Sequence, residues 1–305
     1  MSLQKLPPEI INHIASFIPH DDLAELAETC QKCYLAVLPY LWHNITIHSM
    51  EDLEMIARRL YSNSLWRQRA IQFVHNITLC GTRHSRRCSN SFMARMFGIA
   101  ITEENETDYA NNKEQPFQTS SIVDFSHLVM SLFPHVNHIT FDFSQAFKCF
   151  RFSTPEGRST LSFSGTISVH NYIADNTTFL YILLSHFTNM HQLTVKSAPI
   201  LSLCENLDEL LLTNQDIACI ASLELNSLTD LRLSYIDWTD TQIDTWNRLI
   251  DTLPNLTSLD LSWLFSPNLE SYSTVCDMLK ESISLVPILS KETENCKRVC
   301  FVRKL

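Results

Sequence analysis

The phrase "HNIT" occurs twice in this chain, at His43–Thr46 and His75–Thr78, and a close relative, "VNHITF", stands at Val136–Phe141. Two explanations compete. Asn44 and Asn76 each open an Asn-x-Thr sequon, the mark of a glycosylated surface loop in a secreted protein. Alternatively, the phrase is one strand printed once per structural repeat. The first explanation needs a secretory context. The N-terminal "MSLQKLPPEI" lacks the apolar core of a signal peptide and is broken by Pro7 and Pro8. The ten cysteines are scattered through 305 residues rather than set at the dense spacing of a disulfide scaffold. They read as reduced thiols of a cytoplasmic or nuclear protein, so the sequons are chemically silent. The repeat is the better explanation.

Within the phrase, Ile45 and Ile47 alternate with Asn44 and Thr46, which puts the two isoleucines on one face of a strand. β-Branched residues suit that pleated surface. The underlying pattern, apolar-x-x-apolar-x-apolar, fits Val74/Ile77/Leu79, Val136/Ile139/Phe141, Met190/Leu193/Val195, Leu207/Leu210/Leu212, Leu228/Leu231/Leu233 and Leu256/Leu259/Leu261. Ile167 and Val169 form a weaker copy, and Cys296/Val299/Phe301 a candidate last one. From Ile139 to Leu259 the central residues are spaced by 28, 26, 17, 21 and 28 positions. These intervals scatter around the leucine-rich-repeat period of about 20–29 residues. Between Ile77 and Ile139 the interval is 62. It contains a polar, acidic stretch, residues 101–121, expected to be a disordered insertion.

Helical patterns precede several strands: "SMEDLEMIARRLY" with Ser49 as N-cap, "DFSHLVMSLF", "FLYILLSHF", and "TQIDTWNRLIDTL" stopped by Pro254. Helix then strand, repeated, predicts an α/β right-handed solenoid with a curved parallel sheet. "LPNLTSLDLSWL" and "LTDLRLSYI" resemble leucine-rich repeats. The Asn that the family often carries three residues after the third apolar position is missing; Thr82, Ser144, Ala198, Gln215, Ile236 and Leu264 stand there.

The first forty residues follow another rule. Pro7 and Pro8 suit the entry to a helix carrying Ile10, Ile11, Ile14, Phe17 and Ile18. Pro19 ends it, and Asp21 or Asp22 is placed to cap a second helix with Leu23, Leu26, Ala27 and Cys30. A third segment, with Tyr34, Leu35, Val37 and Leu38, is expected to end at Pro39 before Leu41 and Trp42. This is more apolar surface than one small core requires. Leu6-Pro7-x-Glu9-Ile10, then Ile14, Phe17, Ile18, Asp22-Leu23, Leu26, Cys30, Tyr34 and Leu41-Trp42 resemble an F-box over residues 3–43, with Tyr34 where the family usually has Trp. The resemblance implies an F-box at 1–45 followed by a leucine-rich-repeat solenoid at 46–305. It also implies a substrate receptor of a cullin-RING ubiquitin ligase. In that family the F-box binds a Skp-type adaptor, and through it a cullin, while the repeats hold a protein substrate. Carried over by position, Leu6, Pro7, Ile10, Ile11, Ile14, Leu23, Leu26 and Tyr34 form or support the adaptor interface. A scaffold acting outside any ligase is the alternative, and a small-GTPase regulator a remote third.

The remaining chemistry is sparse. Net charge is −10, which argues against a general nucleic-acid binder. No stretch reaches the roughly 18 apolar residues of a membrane span. Only four glycines occur, none within six residues of another, so phosphate-cradling loops and dinucleotide fingerprints are absent. Cys30-x-x-Cys33 without a second pair reads as structural, and no metal, cofactor or catalytic residue is expected. Arg83, Arg86 and Arg87 form a basic cluster that reads first as a solvated loop. Its sharper reading is a dock for an acidic or phosphorylated partner. On the strands, residues flanking the buried pair point to the opposite, concave face. One row reads Thr78, Thr140, Ser168, Thr194, Leu211, Arg232, Asp260; its neighbour reads Asn76, His138, Thr166, Gln192, Glu209, Asp230, Ser258. Glu209, Leu211, Asp230, Arg232 and Asp260 are the candidate substrate-binding residues.

Overall fold

The repeated phrase becomes the first rungs of a sheet. In the computed structural model, the described residues are 5–47, 50–80, 117–118, 128–143, 150–151, 161–172, 177–197, 211–223, 225–238, 242–263, 269–282, 285–293 and 296–303. β1 (Asn44–Ile47) and β2 (Asn76–Cys80) pair in parallel, with Asn44 opposite Asn76 and Ile45 opposite Ile77. β4 (His138–Asp142), β7 (Thr166–Tyr172), β9 (Gln192–Ser197), β10 (Asp230–Ser234) and β11 (Ser258–Trp263) follow in chain order, all parallel. Two-residue strands β3 (Phe117–Gln118) with β5 (Phe150–Arg151), and β6 (Leu161–Ser162) with β8 (Phe187–Thr188), make two small parallel pairs outside this sheet. The register aligns Ile45, Ile77, Ile139, Ile167, Leu193, Leu231 and Leu259 in one row. All seven are buried. A one-residue slip anywhere would turn such a row to the other face, so burial pins the register.

The helices bury their stripes against the same face. α4 (Met50–Ser62) contributes Leu53, Ile56, Ala57 and Leu60. α6 (Thr177–Ser185) contributes Leu180, Leu183 and Leu184, and α7 (Asn214–Ala221) contributes Ile217, Ile220 and Ala221. α8 (Ile243–Thr252) adds Trp246, Leu249 and Ile250, and α9 (Leu269–Ser282) adds Val275, Cys276 and Leu279. These side chains and the sheet's apolar row form one buried cluster. α6 packs on α7, α7 on α8, and α8 on α9.

The backbone ladder extends one step before the parallel strands. The carbonyls of His43, His75, Asn137, Gly165, His191 and Thr229 each accept from the next unit: His75 N at 3.1 Å, Asn137 N at 2.9 Å, Thr166 N at 2.8 Å, His191 N at 3.1 Å, Thr229 N at 2.8 Å and Thr257 N at 2.8 Å. Thr229 and Thr257 hydroxyls repeat the contact, each at 3.0 Å. Gly165 sits in this ladder because a side chain does not fit. An added Cβ would fall on the Asn137 carbonyl oxygen and lie 2.5 Å from Phe163 Cζ.

Several expectations are corrected. Of the Leu207/Leu210/Leu212 copy, Leu207 and Leu210 lie outside the described residues; Leu212 makes an isolated bridge to Ile236, and β9 pairs directly with β10. Directly after Leu212, Thr213 caps α7 through a capping box with Asp216. The Cys296/Val299/Phe301 copy is β13 (Cys296–Arg303), and it pairs antiparallel to β11 and to β12 (Leu285–Thr293), so the sheet ends in a hairpin rather than a further parallel strand. Residues 101–121 lie outside the described residues apart from β3.

Candidate functional site

The N-terminal helices are α1 (Pro8–Ala15), α2 (His20–Thr29) and α3 (Gln31–His43). Pro8 opens α1 at a position where its missing N–H costs nothing. α2 has Pro19 at its N-cap position, so Asp21 and Asp22 fall within the helix rather than at its cap. Pro39 does not end α3; the helix runs through it to His43. Burial of Leu38, Leu41 and Trp42 on both sides outweighs the lost hydrogen bond. α3 then passes into β1 with no residue between, so a boundary at 45 falls inside a strand. Ala15, Leu23, Ala27, Val37, Leu38, Leu41 and Trp42 belong to the same buried cluster as the sheet.

This shared core absorbs part of the apolar surplus and leaves the rest outside. Ile11 and Leu23 are 1% and 3% exposed, so they support the helical unit from within and cannot touch a partner. Tyr34 is turned toward α5 (Ser64–Phe73): Arg69 Nη1 donates to its hydroxyl at 2.8 Å, and the guanidinium stands 5.6 Å from its ring centroid. It braces the helices against the next unit. Leu6, Ile14 and Leu26 are half-buried and Pro7 is exposed. Lys32 Nζ holds the Leu6 carbonyl. Ile10 is 46% exposed, Phe17 76% and Leu35 55%. Phe17 and Leu35 extend the apolar edge beyond the residues expected from sequence; a helical stripe alone does not say which of its members the core leaves uncovered.

The other candidate surface is the polar face of the sheet. Its rows match the expected ones except at Glu209 and Leu211. Thr78, Thr140, Ser168, Thr194, Arg232 and Asp260 are in register, as are Asn76, His138, Thr166, Gln192, Asp230 and Ser258. Glu209 lies outside the described residues, and Leu211, half-buried, precedes the isolated bridge instead of standing on a sheet row. Arg83, Arg86 and Arg87 also lie outside the described residues.

Neighbouring rungs hydrogen-bond along this face. Asn76 Nδ2 donates to Asn44 Oδ1 at 2.6 Å, and Thr166 Oγ1 to Gln192 Oε1 at 2.9 Å. Ser168 Oγ and His138 Nε2 are 2.9 Å apart. Burial holds His43, His138 and His170 below the usual imidazole value, reinforced for His43 by His75 and for His138 by His170. For His170 the Asp142 carboxylate opposes burial and Lys196 reinforces burial. These imidazoles are therefore neutral at pH 7.

The charged end differs from expectation. Asp260 is 7% exposed, because Arg298 on β13 clamps it: Nε lies 2.8 and 3.1 Å from the two carboxylate oxygens, and Nη2 also bonds Oδ2. Asp260 is thus neutralised by the terminal hairpin rather than offered to a ligand. Arg232, exposed, keeps only a 4.0 Å approach to the same carboxylate. Arg298 could not be placed from sequence, since the apolar alternation of β13 reads the same in either strand direction. Among the described residues no cluster of His, Cys, Asp or Glu is arranged to hold a metal, and no helix is long and apolar enough to cross a membrane.

A protein-family model described as F-box-like matches residues 3–48, the span of the three helices and β1. No curated protein matches the chain. The chain carries an F-box-like domain at its N-terminus, a kind of module that generally mediates binding to Skp-type adaptors and is not catalytic.

Proposed function

We propose that this chain is the substrate-recognition subunit of a cullin-RING ubiquitin ligase. Leu6, Pro7, Ile10, Ile14 and Leu26, with Phe17 and Leu35, dock a Skp-type adaptor and through it a cullin. Residues 46–305 form a degenerate leucine-rich-repeat solenoid, right-handed, with a curved sheet. Its polar face, with Asp230 and Arg232 at the charged end, holds a protein target. The chain supplies no reacting group; it holds target and transfer machinery together, and proximity does the rest.

The observation that carries this reading is the continuity of α3 with β1. A receptor of this kind needs its adaptor edge and its target face held in one orientation. A helix that becomes the first strand, with Leu41 and Trp42 in the common core, leaves no hinge between them.

The test is co-purification of the full chain from cells, read by mass spectrometry. Recovery of an adaptor together with a cullin supports the reading; adaptor alone points to a scaffold outside the ligase, and neither contradicts it. Charge reversal at Asp230 and Arg232 is expected to release a protein target while the adaptor stays bound.

A further inference from the structure

We propose that Cys30 and Cys33 form a redox-active dithiol that closes to an intramolecular disulfide at the start of α3 when a hydroperoxide is present. Cys30 is the N-cap of α3 in extended backbone, and its sulfur accepts from Cys33 N at 3.4 Å. The Cys30 sulfur therefore lies over the first turn of α3, against the residue that carries the second thiol. Cα atoms three residues apart on a helix are separated by about 5 Å, inside the roughly 4.4–6.8 Å that a disulfide tolerates. Both thiols are free; Cys30 is half-buried and Cys33 is 0% exposed. The pair thus has one member within reach of a small oxidant and one sheltered member already in place.

The local electrostatics sort the roles. The Cys33 amide and thiol, then the Lys32 amide, hold the Cys30 thiol below its usual value, while burial pushes the Cys33 thiol up. A thiolate at a helix N-terminus is the nucleophilic form. Cys219, by contrast, is pushed up to about 12, by burial first and by Asp216 second. The chemistry balances as follows. The Cys30 thiolate attacks one peroxide oxygen, the O–O bond breaks, and the alcohol or water leaves with the proton, giving a sulfenic acid. The Cys33 sulfur then attacks the Cys30 sulfur, the S–O bond breaks, and water leaves with the Cys33 proton. Two thiols are oxidised and one peroxide is reduced.

The test uses the folded full chain, reduced and then treated with hydrogen peroxide, alkylated and digested with trypsin. Lys32 lies between the two cysteines, so cleavage separates peptide 6–32 from peptide 33–58. The expected product is these two peptides joined, formed ahead of any oxidation at Cys219 and released by a thiol reductant. Cys30→Ser removes the joined pair, and Cys33→Ser leaves a Cys30 sulfenic acid that dimedone traps. Should Cys33→Ser fail to fold, the wild-type product decides alone. Recovery of both peptides alkylated, Cys30 or Cys33 joined to another cysteine, or a joined pair only in guanidinium overturns the proposal. The test needs no adaptor, so its outcome is independent of the ligase reading.

Discussion

Leu231→Ala measures whether the repeated triplet is the core that holds this molecule together. Leu231 is 0% exposed and stands between Leu193 and Leu259 in a row of buried residues. The substitution deletes three carbons. At about 0.8 kcal/mol per buried methylene, the transfer loss is about 2.4 kcal/mol. A cavity cost adds to this, because surroundings relax only partially; buried Leu→Ala changes span roughly 2–5 kcal/mol in all. Here both flanking strands are fixed by parallel backbone ladders, so collapse is restricted and about 4 kcal/mol is expected. Urea unfolding followed by tryptophan fluorescence reports it, since the Trp238 ring lies 5.5 Å from that of Trp246 and 5.7 Å from that of Trp263, centroid to centroid. Leu35→Ala is the internal comparison, with the side chain 55% exposed, and should cost under about 0.5 kcal/mol. A loss below about 1 kcal/mol for Leu231→Ala, or one equal to that of Leu35→Ala, refutes the continuous row.

Gly165→Ala places a methyl group on the Asn137 carbonyl, where backbone must move; an overpacking cost of about 1–3 kcal/mol is expected in the same unfolding assay, and none would show that the strand entries are looser than described. Asp216 is 1% exposed and accepts from Tyr172 Oη at 2.8 Å and from Thr213 N and Oγ1 at 2.8 and 2.9 Å. Burial outweighs these donors and raises its carboxyl above the ordinary value near 3.8. The folded state then holds the proton longer than the unfolded one. Stability therefore falls as pH rises from the ordinary carboxylate value through the raised one. Asp216→Asn, which does not titrate, should flatten this part of the stability-versus-pH curve; an unchanged slope would sink the assignment.

Much of this was legible in the sequence, for an identifiable reason. The isoleucines of "HNITI" and their later counterparts alternate with polar residues, and burial of one face fixes register without further information. The rows from Asn76 to Ser258 and from Thr78 to Asp260 follow from that. Direction and continuity did not follow. Leu207/Leu210/Leu212 carries the same pattern, but Thr213 and Asp216 turn the chain into α7 after it. β13 carries the same alternation and runs antiparallel, which supplied Arg298 and took Asp260 out of the exposed set. In the helices, composition showed an apolar surplus but not its partition. Ile11 and Leu23 went to the core, Tyr34 to Arg69, and Ile10, Phe17 and Leu35 remained outside.

Deleting the N-terminal helices would strip Val37, Leu41 and Trp42 from a core shared with the sheet, so the central claim is better tested by point changes at the exposed edge. The most direct measurement is the affinity of the purified chain for a Skp-type adaptor, wild type against Ile10→Asp with Ile14→Asp, each checked for a native unfolding midpoint. Interface residues that anchor an apolar contact are worth about 2 kcal/mol or more each, about 4 kcal/mol for the pair, so binding should weaken by roughly 1,000-fold. A folded double variant that binds the adaptor as tightly as wild type would contradict the role given to that edge.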